Sequence, residues 1–210
     1  MLEWIDGLTV SLALGVALWL RPWRVHATVG LPWPWLAWAT LMPAFWSADR
    51  LVAMPVAQPL SGACLLMLMT GWPLAMLLLV PIALLAGWAG DLGAWATLHR
   101  LAWLGVVPAT LALALGAAIR RWLPHHLFVY IMGRGFLGAA VCTALAGAGA
   151  AWIEAAPGGL LTGDIVLGRW LAAWADAWLC GMIAAIFVAF RPTWLATYAD
   201  RIYLPPQTPT

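Results

Sequence analysis

The chain has 210 residues, of which 65% are hydrophobic and 9% charged, with a formal net charge of +2 and a mean hydropathy of +0.92. Soluble domains carry roughly 25% charged residues, so this inventory excludes a water-facing globular surface, and so small a net charge points to no nucleic-acid partner. What remains is one compact membrane domain of the all-α class, a polytopic helix bundle in contact with the lipid bilayer. A helix satisfies its backbone polar groups within its own segment where no water can do so.

The first apolar segment is expected to stay as a helix. Glu3 and Asp6 stand where a signal peptide would be positive, and no small-residue cleavage site precedes Arg21. About 20 apolar residues cross the hydrocarbon core, somewhat fewer when flanking residues snorkel. Charges and turn residues then cut the chain into about seven transmembrane segments. The first two run from Leu8 to Leu20 and from Ala27 to Trp46, the second carrying Pro32, Pro34 and Pro43. The third covers Leu51 to Thr70 with Pro55 and Pro59, and Gly71-Trp-Pro73 turns the chain into the fourth, which ends near Trp88. The last three span Leu101 to Ile119, Leu127 to Ile153 and Trp170 to Phe190. A single transmembrane domain over 1–204 is followed by a short polar, Pro-rich tail at 205–210.

Orientation follows from arginine, since the chain has no lysine. With the N-terminus outside and the C-terminus inside, the cytoplasmic face receives Arg21, Arg24, Arg120, Arg121, Arg191 and Arg201. The outer face keeps Arg50, Arg100 and Arg169 with most of the acids, a split that favours N-out/C-in by the positive-inside rule. Tryptophans at expected helix ends, among them Trp4, Trp19, Trp46, Trp72, Trp88, Trp122 and Trp152, suit an interfacial belt. In the sixth span Gly135, Ala139, Thr143, Gly147 and Ala151 recur every four residues and give a small-residue face for close helix packing.

Two ionisable residues fall inside expected spans, Arg134 in the sixth and Asp176 in the seventh. Charge at that depth costs several kcal/mol, roughly 2.5–3.5 on insertion scales, so both should face the bundle interior. They read either as a buried ion pair that sets register or as part of a substrate path. Gln58 and Ser61 share a face of the third span, where Pro55 and Pro59 free backbone carbonyls. That face reads either as a site on a broken helix or as a kink healed by its neighbours. Gln58, Ser61, Arg134 and Asp176 are therefore the candidate substrate-binding residues. Met54, Cys64, Met67, Met69, Cys180 and Met182 are soft groups suited to Cu(I), although methionine in an apolar helix is ordinary packing material. His26, His99, His125 and His126 all sit at helix ends, away from where haem ligation needs them, and no resident cofactor is expected. There is no Walker A sequence, and no His-Glu-x-x-His or Gly-x-Ser-x-Gly motif, which argues for a transporter or scaffold over an enzyme.

Several stretches carry a family resemblance. They are Leu60-Ser-Gly-Ala-Cys-Leu-Leu-Met-Leu-Met-Thr-Gly-Trp-Pro-Leu-Ala75, Leu123-Pro-His-His-Leu-Phe-Val-Tyr-Ile131, Gly135-Phe-Leu-Gly-Ala139, Ala175-Asp-Ala-Trp-Leu-Cys-Gly-Met182 and Phe190-Arg-Pro-Thr-Trp-Leu-Ala-Thr-Tyr-Ala-Asp-Arg-Ile-Tyr203. Together they resemble the proteobacterial branch of the CbiM-like permeases, membrane components of energy-coupling-factor transporters for cobalt and nickel. The resemblance implies a seven-helix, N-out protein of the bacterial inner membrane that captures substrate at its outer face. It also implies a separate transmembrane coupling subunit and cytoplasmic ATPases as partners. Metal-binding members begin Met-His and carry a further histidine on the third helix, whereas this chain begins Met1-Leu2-Glu3 and reads Gln58-Pro59-Leu60-Ser61-Gly62 there. The candidate metal ligands are then Met1 and Glu3 at the N-terminus and the thiols Cys64 and Cys180. Asp176 stands where the branch has a glutamate. The expected function is a substrate-binding permease component of an importer for a transition metal ion or a related small solute; the alternative is a scaffold or assembly factor that kept the fold and lost the metal site.

Overall fold

The computed structural model describes residues 2–22, 33–51, 58–153 and 162–198. Met1, Arg24, His26, Met54, Pro55, Glu154, the tail and the start of the second expected span lie outside the described residues. The protein is an all-α bundle, with no strand among the described residues. Its helices are α1 (Leu2–Trp19), α2 (Trp33–Trp46), the short α3 (Ala48–Leu51), α4 (Ala63–Thr70) and α5 (Trp72–Ala89). They are followed by α6 (Ala94–Trp122), α7 (Val129–Ile153) and α8 (Thr162–Phe190). Four of them, α5 to α8, are long and apolar enough to cross a membrane, and α1 is a shorter apolar helix.

Three helices start earlier than the charge pattern predicts. α1 begins at Leu2, α6 at Ala94 and α8 at Thr162, so Asp6, His99, Arg100, Asp164 and Arg169 lie within helices. Polar side chains end a span in the sequence reading because lipid cannot solvate them. Here several are solvated by one another at the bundle end that carries the N-terminus. Arg100 forms a fork with Asp49, its Nη1 donating to Oδ1 at 2.9 Å and its Nη2 to Oδ2 at 2.6 Å, and Nη1 also donates to the carbonyl of Trp46 at the end of α2. Asp6 pairs with His99 Nδ1 at 2.6 Å and accepts the Trp103 indole N–H at 2.8 Å, which ties α1 to α6.

The third expected span departs most from a simple helix. Residues 58–62 are not helical, and regular structure resumes only at Ala63 for eight residues. Every residue from Ser61 to Thr70 is buried. At about 1.5 Å per residue α4 is about 12 Å long, under half the hydrocarbon thickness of about 30 Å. Gly71, at φ 77°, makes the reversal into α5, whose second residue is Pro73.

The small-residue face of the sixth span does pack a helix closely. Gly135, Ala139, Thr143, Gly147 and Ala151 are all buried, and a Cβ added at Gly135 would lie 3.2 Å from that of Ala184 on α8. Tryptophan divides into two populations. Trp4, Trp19, Trp88, Trp122 and Trp152 are exposed at helix ends, as interfacial anchors should be. Trp46 and Trp72 are corrections to that expectation, because both are buried. Trp46 donates to the carbonyl of Ser61 at 2.8 Å and Trp72 to Thr110 Oγ1 at 3.0 Å, so their indoles serve the interior.

Partial burial pushes the Asp49 carboxyl up, but the hydrogen bonds and charge of Arg100, with Arg50 adding, outweigh this and hold it below its ordinary value of 3.8. A carboxylate depressed in the folded state stabilises the fold above its ordinary value, and the contribution fades as pH falls through the folded value. Asp49→Asn should therefore melt below the wild type at neutral pH, and the gap should close as pH falls below the ordinary value and through the depressed folded one. Thermal denaturation in detergent across that pH range checks this.

Candidate functional site

The break before α4 exposes backbone groups at mid-bundle, where lipid offers no hydrogen bonds, so each needs a partner from the protein. The Gly62 N–H donates to Asp176 Oδ1 at 2.8 Å, and Thr143 Oγ1 donates to Asp176 Oδ2 at 3.1 Å. The Ala63 N–H donates to Ser61 Oγ at 3.2 Å, while the Ser61 hydroxyl donates to the carbonyl of Leu104 at 2.6 Å. Leu104 lies in Leu101–Val106, where α6 widens to i→i+5 turns, a local distortion often found at functional sites. The Gly62 carbonyl accepts from Leu66 N–H at 3.1 Å and from the Trp38 indole at 3.0 Å.

Gly62 is required by this geometry. Its φ of 64° lies in the left-handed region, and a Cβ there would approach the Trp38 ring to 3.0 Å. Asp176 lies near the middle of α8 and is 2% exposed. It sits at the N-terminus of α4, where the helix dipole favours negative charge. Thr143 on α7 and Gly62 before α4 thus converge on one carboxylate of α8.

Of the expected substrate-binding residues, Gln58, Ser61 and Asp176 belong to this neighbourhood. Gln58 is buried and packs against α7 and α8: a Cβ built on Gly147 would run into its Oε1 and come within 3.2 Å of Arg169 Cβ. Arg169 Nη1 donates to the Gly147 carbonyl at 3.0 Å. Arg134 is elsewhere. The packing register sets Gly135 against Ala184 and Thr143 against Asp176. Arg134 is therefore about nine residues, or about 13 Å, from Asp176 along the helix pair, too far for the ion pair.

Arg134 instead serves the opposite end of α4. Its Nη1 donates to the Thr197 carbonyl at 3.3 Å, and its guanidinium lies 5.3 Å from the centre of the Tyr130 ring. Thr197 in turn covers the end of α4, with its N–H donating to the Leu68 carbonyl at 3.3 Å and its hydroxyl to the same oxygen at 3.1 Å. Ala196 N–H donates to the Met69 carbonyl at 3.2 Å. Gly116 makes room for the cation, since a Cβ there would come within 2.7 Å of Arg134 Nε. The two intramembrane charges thus attend the two ends of one short helix, the carboxylate at its N-terminus and the cation near its C-terminus.

For the expected metal ligands, Cys64 and Cys180 are buried free thiols. Cys64 Sγ lies 3.8 Å from the Pro108 carbonyl and 3.9 Å from Thr143 Oγ1. Met1 and the Glu3 side chain lie outside the described residues. Among the described residues no three of His, Cys, Asp and Glu gather closely enough to hold a metal ion. Sequence reasoning missed Trp38, Trp46 and Thr143 as partners of the break, and Thr197 as the partner of the opposite end of α4. Ser61-Gly62 directly before an apolar run was the available signal for a helix start. No family model matches the chain, and no curated protein or solved structure does either.

Removing the carboxylate leaves two buried donors without an acceptor, at about 1–3 kcal/mol each. Asp176→Leu should therefore lower stability by several kcal/mol, and Asp176→Asn, which keeps one acceptor oxygen, by clearly less. Gly62→Ala should cost about 1–2 kcal/mol from the left-handed backbone alone, and more with the Trp38 contact. Thermal unfolding of the three variants in one detergent tests the order.

Proposed function

We propose that this chain is the substrate-binding membrane component of an energy-coupling-factor-type importer, multi-pass in the bacterial inner membrane, with its N-terminus outside. The observation that carries the reading is Asp176, a carboxylate buried at mid-bundle against the start of a short helix that begins inside the bundle. Gln58 and Ser61 line the unwound approach to it. Membrane transporters build substrate sites at such breaks because half-helix ends and freed backbone groups supply polarity where lipid has none. Arginine supports the orientation. The helix ends carry Arg21, Arg120, Arg121 and Arg191 at one face of the bundle, and Arg50, Arg100 and Arg169 with Asp6, Asp49, Asp91 and Asp164 at the other. The resemblance to CbiM-like permeases supplies the partners, a transmembrane coupling subunit and cytoplasmic ATPases, and suggests a transition metal ion as the solute.

A second reading, a membrane scaffold or assembly factor that kept the fold without a metal site, has its own observation. Both oxygens of Asp176 are already engaged by the protein, and no cluster of three metal-binding side chains stands among the described residues. Calorimetric titration of detergent-purified protein with Co, Ni, Zn and Cu(I) separates the two. Stoichiometric binding of one ion supports the importer; silence across the panel removes metal as the solute and favours the scaffold. In cells, Asp176→Asn is expected to abolish uptake. Retained uptake with a lowered melting temperature would leave Asp176 a structural role only.

A further inference from the structure

Towards the end of the bundle opposite the N-terminus, a groove of about 400 Å³ runs between α2 and α8, with α4 as its floor. Ala37 and Leu41 form one wall, Phe187 the other, Leu65 and Met69 the base, and Trp194 closes it. The lining is apolar, and the indole N–H of Trp38 already donates to the Gly62 carbonyl. Leu41 is half exposed, so the groove opens sideways along the bundle rather than into its core.

The groove is open along one side, so an elongated apolar group can lie in it without entering the core. An unbranched hydrocarbon tail is narrow enough, and the surroundings are apolar along the whole length. Charge selects the other half of the molecule. Arg191 follows α8 directly; its N–H donates to the carbonyl of Phe187 at 2.8 Å, and its own carbonyl accepts from Trp194 at 3.0 Å. It therefore stands in the turn between two groove residues, is exposed, and has no acidic partner among the described residues. We propose that this groove holds one acyl chain of an anionic phospholipid whose phosphate meets Arg191. The lipid fills the open side of the groove beside α4, a helix too short to cross the membrane alone.

The experiment is native mass spectrometry of the full chain released from nanodiscs of equal parts phosphatidylglycerol and phosphatidylcholine. The wild type should retain one phosphatidylglycerol. Ala37→Trp, which fills the groove from an exposed position, should retain none, and Leu41→Trp provides the same test if the first variant melts early. Arg191→Gln should keep a lipid but lose the preference for phosphatidylglycerol by about fivefold, the attraction one basic residue exerts on an anionic headgroup. The proposal is overturned by a wild type that retains no lipid, by undiminished retention in the folded tryptophan variant, or by an Arg191→Gln protein with unchanged headgroup preference. A copurifying polypeptide in place of the lipid overturns it as well.

Discussion

Lipid gives a backbone nothing to bond to, and a helix that stops halfway through a bundle must therefore find every missing partner inside the protein. α4 is such a helix. The N–H of Gly62 just before it meets Asp176, and its last carbonyls meet Ala196 and the backbone and side chain of Thr197, with Arg134 behind. Negative charge at the N-terminus and positive charge near the C-terminus both run with the helix dipole. The separation of the two charges along α7 and α8, about 13 Å, is close to the length of α4, about 12 Å. Two residues that would be costly alone in lipid become the terminal supports of a third element.

Much of the remaining architecture serves that arrangement. α7 and α8 approach closely through glycine and alanine, which brings Thr143 within hydrogen-bonding distance of Asp176. Trp38 and Trp46 on α2 turn their indoles inward to the carbonyls of Gly62 and Ser61. The widened turns of α6 and α7 lie at Leu104, which accepts the Ser61 hydroxyl, and at Arg134 itself. At the N-terminal end, Arg100 and Asp49 hold the close of α2 against the start of α6, fixing the helix that carries the two tryptophans.

The sequence made the class and most spans legible, because apolar runs and arginine positions report directly on lipid. It also hinted at the break, since Pro55 and Pro59 in the third span suit either a broken helix or a healed kink, and the structure shows non-helical backbone at 58–62. What it hid depends on register. Arg134 and Asp176 look like a pair when each is counted from its own helix end, and only the contact of Gly135 with Ala184 reveals that they are offset. Tryptophan was equally ambiguous, since an amphipathic ring near a helix end suits the headgroups and a buried carbonyl alike. Trp19 and Trp46 occupy similar sequence settings and opposite environments. The charges that made α1 and α6 begin too late in the sequence reading did so because their partners, Asp49 for Arg100 and Asp6 for His99, come from distant parts of the chain.

The contact between Gly62 and Asp176 spans 114 positions of sequence, and this bears on how the protein is made. When α4 leaves the ribosome it is too short to cross the bilayer, and the carboxylate that completes its N-terminus has not yet been synthesised. Its second support, Thr197, arrives later still. The hydrogen bonds that complete the two ends of α4 can therefore form only once the last helix and the residues after it have been made.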